Sequence, residues 1–124
     1  MKNTILLVED NQDLLELIGE MLQFANFKVL LAPNGKEAMQ LLEKHSAEII
    51  LLITDLVMPK MSGHELALWA SKHYPEIPCL KISGSYDAPH GAGPEEFLEK
   101  PFTEKQLLVG VRVALQSTVF RIAL

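Results

Sequence analysis

Ile49-Ile50-Leu51-Leu52-Ile53-Thr54-Asp55-Leu56-Val57-Met58-Pro59 is the stretch whose reading decides the fold. Its first part is apolar at nearly every position rather than at alternate ones, which fits a strand buried on both faces. The run stops at the carboxylate of Asp55, and Pro59 punctuates a loop. A second run, Ile5-Leu6-Leu7-Val8, stops in the same way at Glu9-Asp10. In an open parallel sheet the carboxyl ends of the strands gather at one edge, where ligands bind. Three carboxylates meeting there repel one another unless a cation joins them. The two stretches therefore predict a hard-metal site beside a candidate nucleophile.

Working outward, the chain alternates short apolar runs with helical patterns. Strands are expected near 4–8, 27–31, 48–54, 78–82 and 96–99. Helices are expected near 12–25, 35–45, 63–73 and from 104 to about 117. In the first helix Leu14, Leu17, Ile18, Met21, Leu22 and Ala25 recur at three-four spacing and form one apolar face. Asn34 with Glu37, Ser62 with Glu65 and Thr103 with Gln106 have helix-start spacing. Strand–helix alternation with strands apolar throughout implies a five-stranded parallel sheet covered on both faces. Right-handed crossovers make it a doubly wound α/β fold, a three-layer α/β/α sandwich. One segment breaks the rhythm. Between Ser83 and Glu96 lie two Pro and three Gly, which leave no room for a regular fourth helix, so that helix is expected to be shortened or missing.

Bulk properties narrow the function classes. With 124 residues the chain is one domain, long enough to bury an ordinary core. A net charge of −5 without a run of Lys or Arg argues against direct nucleic-acid binding. No apolar stretch approaches the roughly 20 residues that span a bilayer, and Met1-Lys2-Asn3 leads into a strand-like run rather than a secretory leader. The single cysteine, Cys79, cannot form an internal disulfide and is expected to be a small buried hydrophobe in a cytoplasmic protein. His45, His64, His73 and His90 have no metal-ligand spacing and are expected at exposed helix ends or loops, and Trp69 is expected to serve packing.

The chemistry then follows from the strand ends. Glu9, Asp10 and Asp55, with a backbone carbonyl and waters, suit octahedral Mg²⁺. A cation there neutralises phosphate oxygens, and an adjacent Asp can attack phosphorus to form an acyl phosphate. Lys100, after the fifth strand, can pair with phosphoryl oxygens, and the Ser83 hydroxyl, after the fourth, can hydrogen-bond them. Each has an ordinary structural use as a helix-start acid, turn former or surface lysine. Four separate strand ends that supply an acid pair, an acid, a hydroxyl and a lysine rarely arise by chance.

At these residues the chain resembles the response-regulator receiver domains of two-component signalling, the CheY-like family, and in flavour the receivers of hybrid sensor histidine kinases. The resemblance rests on Ile5-Leu6-Leu7-Val8-Glu9-Asp10-Asn11, Thr54-Asp55-Leu56-Val57-Met58-Pro59-Lys60-Met61-Ser62-Gly63, Lys81-Ile82-Ser83-Gly84 and Phe97-Leu98-Glu99-Lys100-Pro101-Phe102, in the family's order. It implies a flavodoxin-like fold and a phosphorelay function. Asp55 would accept a phosphoryl group from a phosphohistidine of a histidine kinase or a histidine phosphotransfer domain. Asp10, Asp55, Glu9 and the Val57 backbone carbonyl would hold Mg²⁺ or Mn²⁺. Lys100 would contact the phosphoryl group, Ser83 would move toward it, and Phe97 would be the switch aromatic that turns inward. Pro101 falls at the family's cis proline, which would aim Lys100 into the site. The resemblance implies a signalling phosphoacceptor that catalyses only its own phosphorylation and dephosphorylation, not an enzyme in the ordinary sense.

Departures and alternatives shape further expectations. The short interval between Ser83 and Lys100 falls on a helix of the family's common output surface. The apolar Val57, two residues past Asp55, predicts a comparatively long-lived phosphorylated form. In the last helix Leu107, Leu108, Val111 and Leu115 can face the sheet, with Val109, Val113 and, if the helix continues that far, Phe120 roughly opposite; a tail over 117–124 or a homodimer through this helix would cover that second stripe. The domain is expected to fill 1–124, with a core over about 3–116, and with no effector domain following it. Two other function classes stand beside phosphoacceptor signalling. One is a receiver-like interaction module that is not phosphorylated. The other is an Asp-nucleophile, Mg²⁺-dependent phosphatase, which resembles a family with a second acid where this chain has Val57.

Overall fold

All five side chains of β1 (Thr4–Val8) are buried, as a run without polar alternation requires. Residues 2–84 and 97–123 are described by a computed structural model, 117–123 as backbone only. The elements follow as α1 (Gln12–Phe24), β2 (Lys28–Ala32), α2 (Gly35–His45), β3 (Ile49–Asp55), α3 (Gly63–His73), β4 (Cys79–Ser83), β5 (Phe97–Glu99) and α4 (Glu104–Ala123). The strands form one parallel sheet in the order β2-β1-β3-β4-β5. The chain leaves β1 toward β2 and then returns to its other side for β3. The carboxyl ends of β1 and β3 thus flank the point where the winding reverses, the usual place of a ligand crevice in such sheets.

Successive strand residues feed opposite faces. Ile5, Leu7, Leu51, Ile53, Leu80 and Ile82 pack with Leu15, Ile18 and Leu22 of α1 and with Leu107, Val111 and Ala114 of α4. Leu6, Val8 and Leu52 pack on the other face with Ala38 and Leu42 of α2 and Leu66 and Ala70 of α3. The sheet is therefore the middle of three layers, as expected. The helix starts hold as read. Asn34 accepts from the Glu37 N–H and Ser62 from the Glu65 N–H. Thr103 and Gln106 exchange side-chain-to-backbone hydrogen bonds in a full capping box.

Some expectations are corrected. Strands β2 to β5 are displaced by about one residue, so Asp55 and Ser83 are themselves the last strand residues. The buried stripe of α1 is Leu15, Ile18, Gly19 and Leu22, while Leu17 is 49% exposed. Gly19 faces Leu31 of β2, where an added Cβ would come within 3.1 Å of the leucine side chain, and Leu14 and Met21 of the expected face still pack at the margin of the core. Cys79 is half-buried at the margin of the core rather than fully enclosed. Helix α4 runs on to Ala123, beyond the expected end near 117. Its Leu107 and Val111 are buried and Leu108 and Leu115 partly so, whereas Val109 and Val113 are exposed. The expected loss of a fourth crossover helix falls at 84–95 and lies almost wholly outside the described residues, as do His90 and the Phe120 side chain. Trp69, within α3, packs on the core and stacks on His73.

Candidate functional site

Strand register brings the acids together. Val8 lies opposite Thr54 in the β1–β3 ladder, so Glu9 and Asp55, one step further along each chain, emerge side by side. A carboxylate oxygen from each of Glu9, Asp10 and Asp55 lies within 4.8 Å of the others. Glu9 and Asp55 are buried and Asp10 is exposed, which leaves the group open on one side. Asp55 lies opposite Ile82, and Ser83 opposite Glu99. The same ladder therefore carries β5 forward until Lys100 reaches the acids. Its Nζ lies 3.3 Å from Asp55 Oδ2 and 3.4 Å from Glu9 Oε1. The Lys100 N–H donates to the Ser83 carbonyl at 2.8 Å, and the Lys100–Pro101 peptide is cis.

The loop after Asp55 is folded back on itself. The Gly63 N–H donates to the Leu56 carbonyl at 2.8 Å. A Cβ at Gly63 would collide with the Asp55 carbonyl oxygen, so only glycine allows α3 to start this close to the phosphoacceptor candidate. Lys60 takes a positive φ of 70° within the turn. Thr54 Oγ1 donates to the Asp55 carbonyl at 2.9 Å. Met58 is buried, and Val57 stands 61% exposed two residues past Asp55.

Electrostatics mark Glu9. Burial, and then hydrogen bonding to and repulsion from Asp55, push its carboxyl up from 4.5 to about 7, against the lowering influence of Lys100. Glu9 Oε2 is buried and accepts no hydrogen bond among the described residues. An enclosed acid whose second oxygen lacks a donor, beside two more carboxylates, is a donor set for a hard divalent cation. One lysine already present does not balance three acids.

Of the expected site residues, Glu9, Asp10 and Asp55 cluster, Lys100 reaches Glu9 and Asp55, and Ser83 is buried at the neighbouring strand end. Phe97 lies one strand over, opposite Lys81, whose Nζ is 5.3 Å from the ring centroid. Two residues had no expected role. Gly63 is legible as the first residue after the Ser62 cap, but its contact with Asp55 is tertiary. Lys81 could be noticed as the charge inside the apolar β4, but its aromatic partner depends on the β4–β5 register.

Residues 5–112 match the family described as "Response regulator receiver domain". The chain is 34% identical over 118 residues to the transcriptional regulatory protein CpxR of Escherichia coli K12, covering 92% of this chain and 50% of CpxR. It is 35% identical over 119 residues to the sensor kinase CckA of Brucella abortus, covering 91% of this chain and 12% of that protein. It therefore spans half or less of these curated relatives. Among solved structures, the receiver domain of the hybrid histidine kinase CckA superposes with a TM-score of 0.77 at 32% identity, over 91% of this chain and 99% of that one. A response regulator receiver domain from Clostridium thermocellum gives 0.84 at 26% identity, over 95% and 98%. The fold, the converged acids and these likenesses agree, and the chain belongs to the response-regulator receiver domain family.

Proposed function

We propose that the chain is the phosphoacceptor of a two-component phosphorelay and that Asp55 is the residue phosphorylated. The observation that carries this reading is the Lys100 ammonium 3.3 Å from Asp55 Oδ2 within a cluster of three carboxylates at the winding reversal of the sheet. The donor is a phosphohistidine on a histidine kinase or histidine phosphotransfer domain. The Asp55 carboxylate attacks phosphorus, the nitrogen–phosphorus bond breaks, and the histidine leaves with the bond's electron pair, which yields an aspartyl phosphate. Lys100 pairs with the phosphoryl oxygens as they approach Asp55. The Ser83 hydroxyl then moves to hydrogen-bond the group, and Phe97 turns inward.

Glu9, Asp10, Asp55 and the Val57 carbonyl are the groups that would hold Mg²⁺, or Mn²⁺. When bound, the cation would neutralise charge on the phosphoryl oxygens. Asp10 faces outward and gives the ion access, while Glu9 sets the charge at the base of the site. Val57 is exposed and apolar where a phosphatase of the Asp-nucleophile type would carry its second acid, which supports a signalling role without turnover of phosphate esters. The cytoplasm is the proposed compartment; among the described residues no helix is long and apolar enough to cross a membrane. The exposed Val109 and Val113, one turn apart on α4, support a homodimer through that helix, which sedimentation velocity tests.

Adding beryllofluoride and Mg²⁺ tests the central reading, because the complex mimics an aspartyl phosphate. Amide signals around Asp55, Ser83 and Lys100 should shift, and Asp55→Asn should abolish the response. No shift in the wild-type protein would contradict it.

A further inference from the structure

Lys81 is a charged residue inside an otherwise apolar part of β4. Leu80 and Ile82 enter the core shared with α1 and α4, so Lys81 and Ser83 face the other side of the sheet together. Phe97 is the register partner of Lys81, and Glu99 that of Ser83. Lys81 Nζ lies 5.3 Å from the Phe97 ring centroid, inside the range of an effective cation–π contact. Both side chains are half-buried. Lys100 follows Glu99 directly and donates its N–H to the Ser83 carbonyl. Ammonium, aromatic ring, hydroxyl and site lysine thus occupy neighbouring positions on two strands that share a ladder.

We propose that Lys81 is a positioning residue that holds the Phe97 ring against β4 by a cation–π contact, and thereby sets how readily the Asp55 site switches. This rests on the reading of Asp55 as phosphoacceptor and of Phe97 as the aromatic that turns inward. On this proposal the contact is made in the arrangement described here and lost when the ring turns inward, so that it favours the former; only such differential interactions move an equilibrium between two states. A group that binds the switched state then binds more weakly in proportion to the reduced population of that state. The usual worth of an ammonium over an aromatic face at a half-exposed position corresponds to roughly two- to fivefold in that population.

Beryllofluoride with Mg²⁺ is the probe, titrated against the whole chain and read by amide and Phe97 ring signals. Lys81→Met keeps the aliphatic stem and removes the charge; it should bind the probe roughly two- to fivefold more tightly. Lys81→Arg keeps a cation over the ring and should stay near wild type. In a Phe97→Leu background the Lys81→Met gain should vanish. Unchanged or weaker binding by Lys81→Met, or an equal gain without the ring, overturns the proposal while leaving the phosphoacceptor reading intact. Absence of any wild-type response overturns that reading and this inference with it.

Discussion

Lys100 Nζ stands 3.3 Å from Asp55 Oδ2, although the two residues sit at the ends of β5 and β3 with β4 between them. Parallel register makes the approach: Asp55 pairs with Ile82, Ser83 with Glu99, and Lys100 follows Glu99. The same ammonium reaches Glu9, so one lysine is shared by two buried acids, with Asp10 outside them. Such an arrangement is short of positive charge and suited to receive a cation together with an anionic group whose oxygens the lysine can claim.

Removing that lysine should separate the two demands. Lys100→Met loses the partner of the phosphoryl oxygens, and its beryllofluoride affinity should fall at least tenfold, about 1.4 kcal/mol or more. Its Mg²⁺ affinity should hold or rise, because a competing cation has gone. Titration calorimetry reads both; parallel loss of the two would show that Lys100 serves mainly to hold the fold.

Glu9 should leave a signature in stability against pH. Its folded value is about 7 against an ordinary 4.5. Between these values the folded chain holds a proton that the unfolded chain has released. The resulting contribution is complete below about 4.5 and is lost as pH rises through about 7. The metal-free wild type should therefore gain on the order of 2 kcal/mol relative to Glu9→Gln between about pH 8 and pH 5. Urea denaturation at a series of pH values checks this, and parallel profiles for the two proteins would remove Glu9 as the source.

Val57 should govern how long the phosphoryl group stays. An exposed apolar side chain two residues past Asp55 offers no atom to orient an attacking water. Val57→Asn supplies one, and the aspartyl phosphate should decay roughly tenfold faster, a modest share of what a full general base contributes. Phosphate release after acetyl-phosphate loading measures it. Loss from the wild type within seconds would count against the idea.

Gly63→Ala should damage the site through the backbone. The added methyl carbon collides with the Asp55 carbonyl oxygen, so either the start of α3 or the end of β3 must move. A cost of about 2–4 kcal/mol is expected, seen as a lower urea midpoint. An unchanged midpoint would mean that the loop relaxes freely.

Much of this was legible in the chain itself, for physical reasons that differ by element. Asp55 and the Glu9-Asp10 pair end apolar runs, and in a doubly wound sheet strand ends have only one edge to go to. The caps at Asn34, Ser62 and Thr103 were readable because capping is local. The face of α1 was legible only in part: Leu15 is buried and Leu17 exposed, a rotation that depends on how the helix seats against the sheet. The contact of Lys81 with Phe97 and that of Gly63 with the Asp55 carbonyl depend on register and tertiary approach, which spacing along the chain does not carry. The run of α4 past 117 was signalled only by Phe120 falling on the stripe of Val109 and Val113, a single residue in a segment that the sequence also allows as a tail.

The most direct measurement is intact and peptide mass after incubation with acetyl phosphate and Mg²⁺. The account predicts one phosphoryl group per chain, on the peptide that contains Asp55, and none on Asp55→Asn. A wild-type chain that stays unmodified while its fold is intact, or a phosphoryl group that persists in Asp55→Asn, would contradict it.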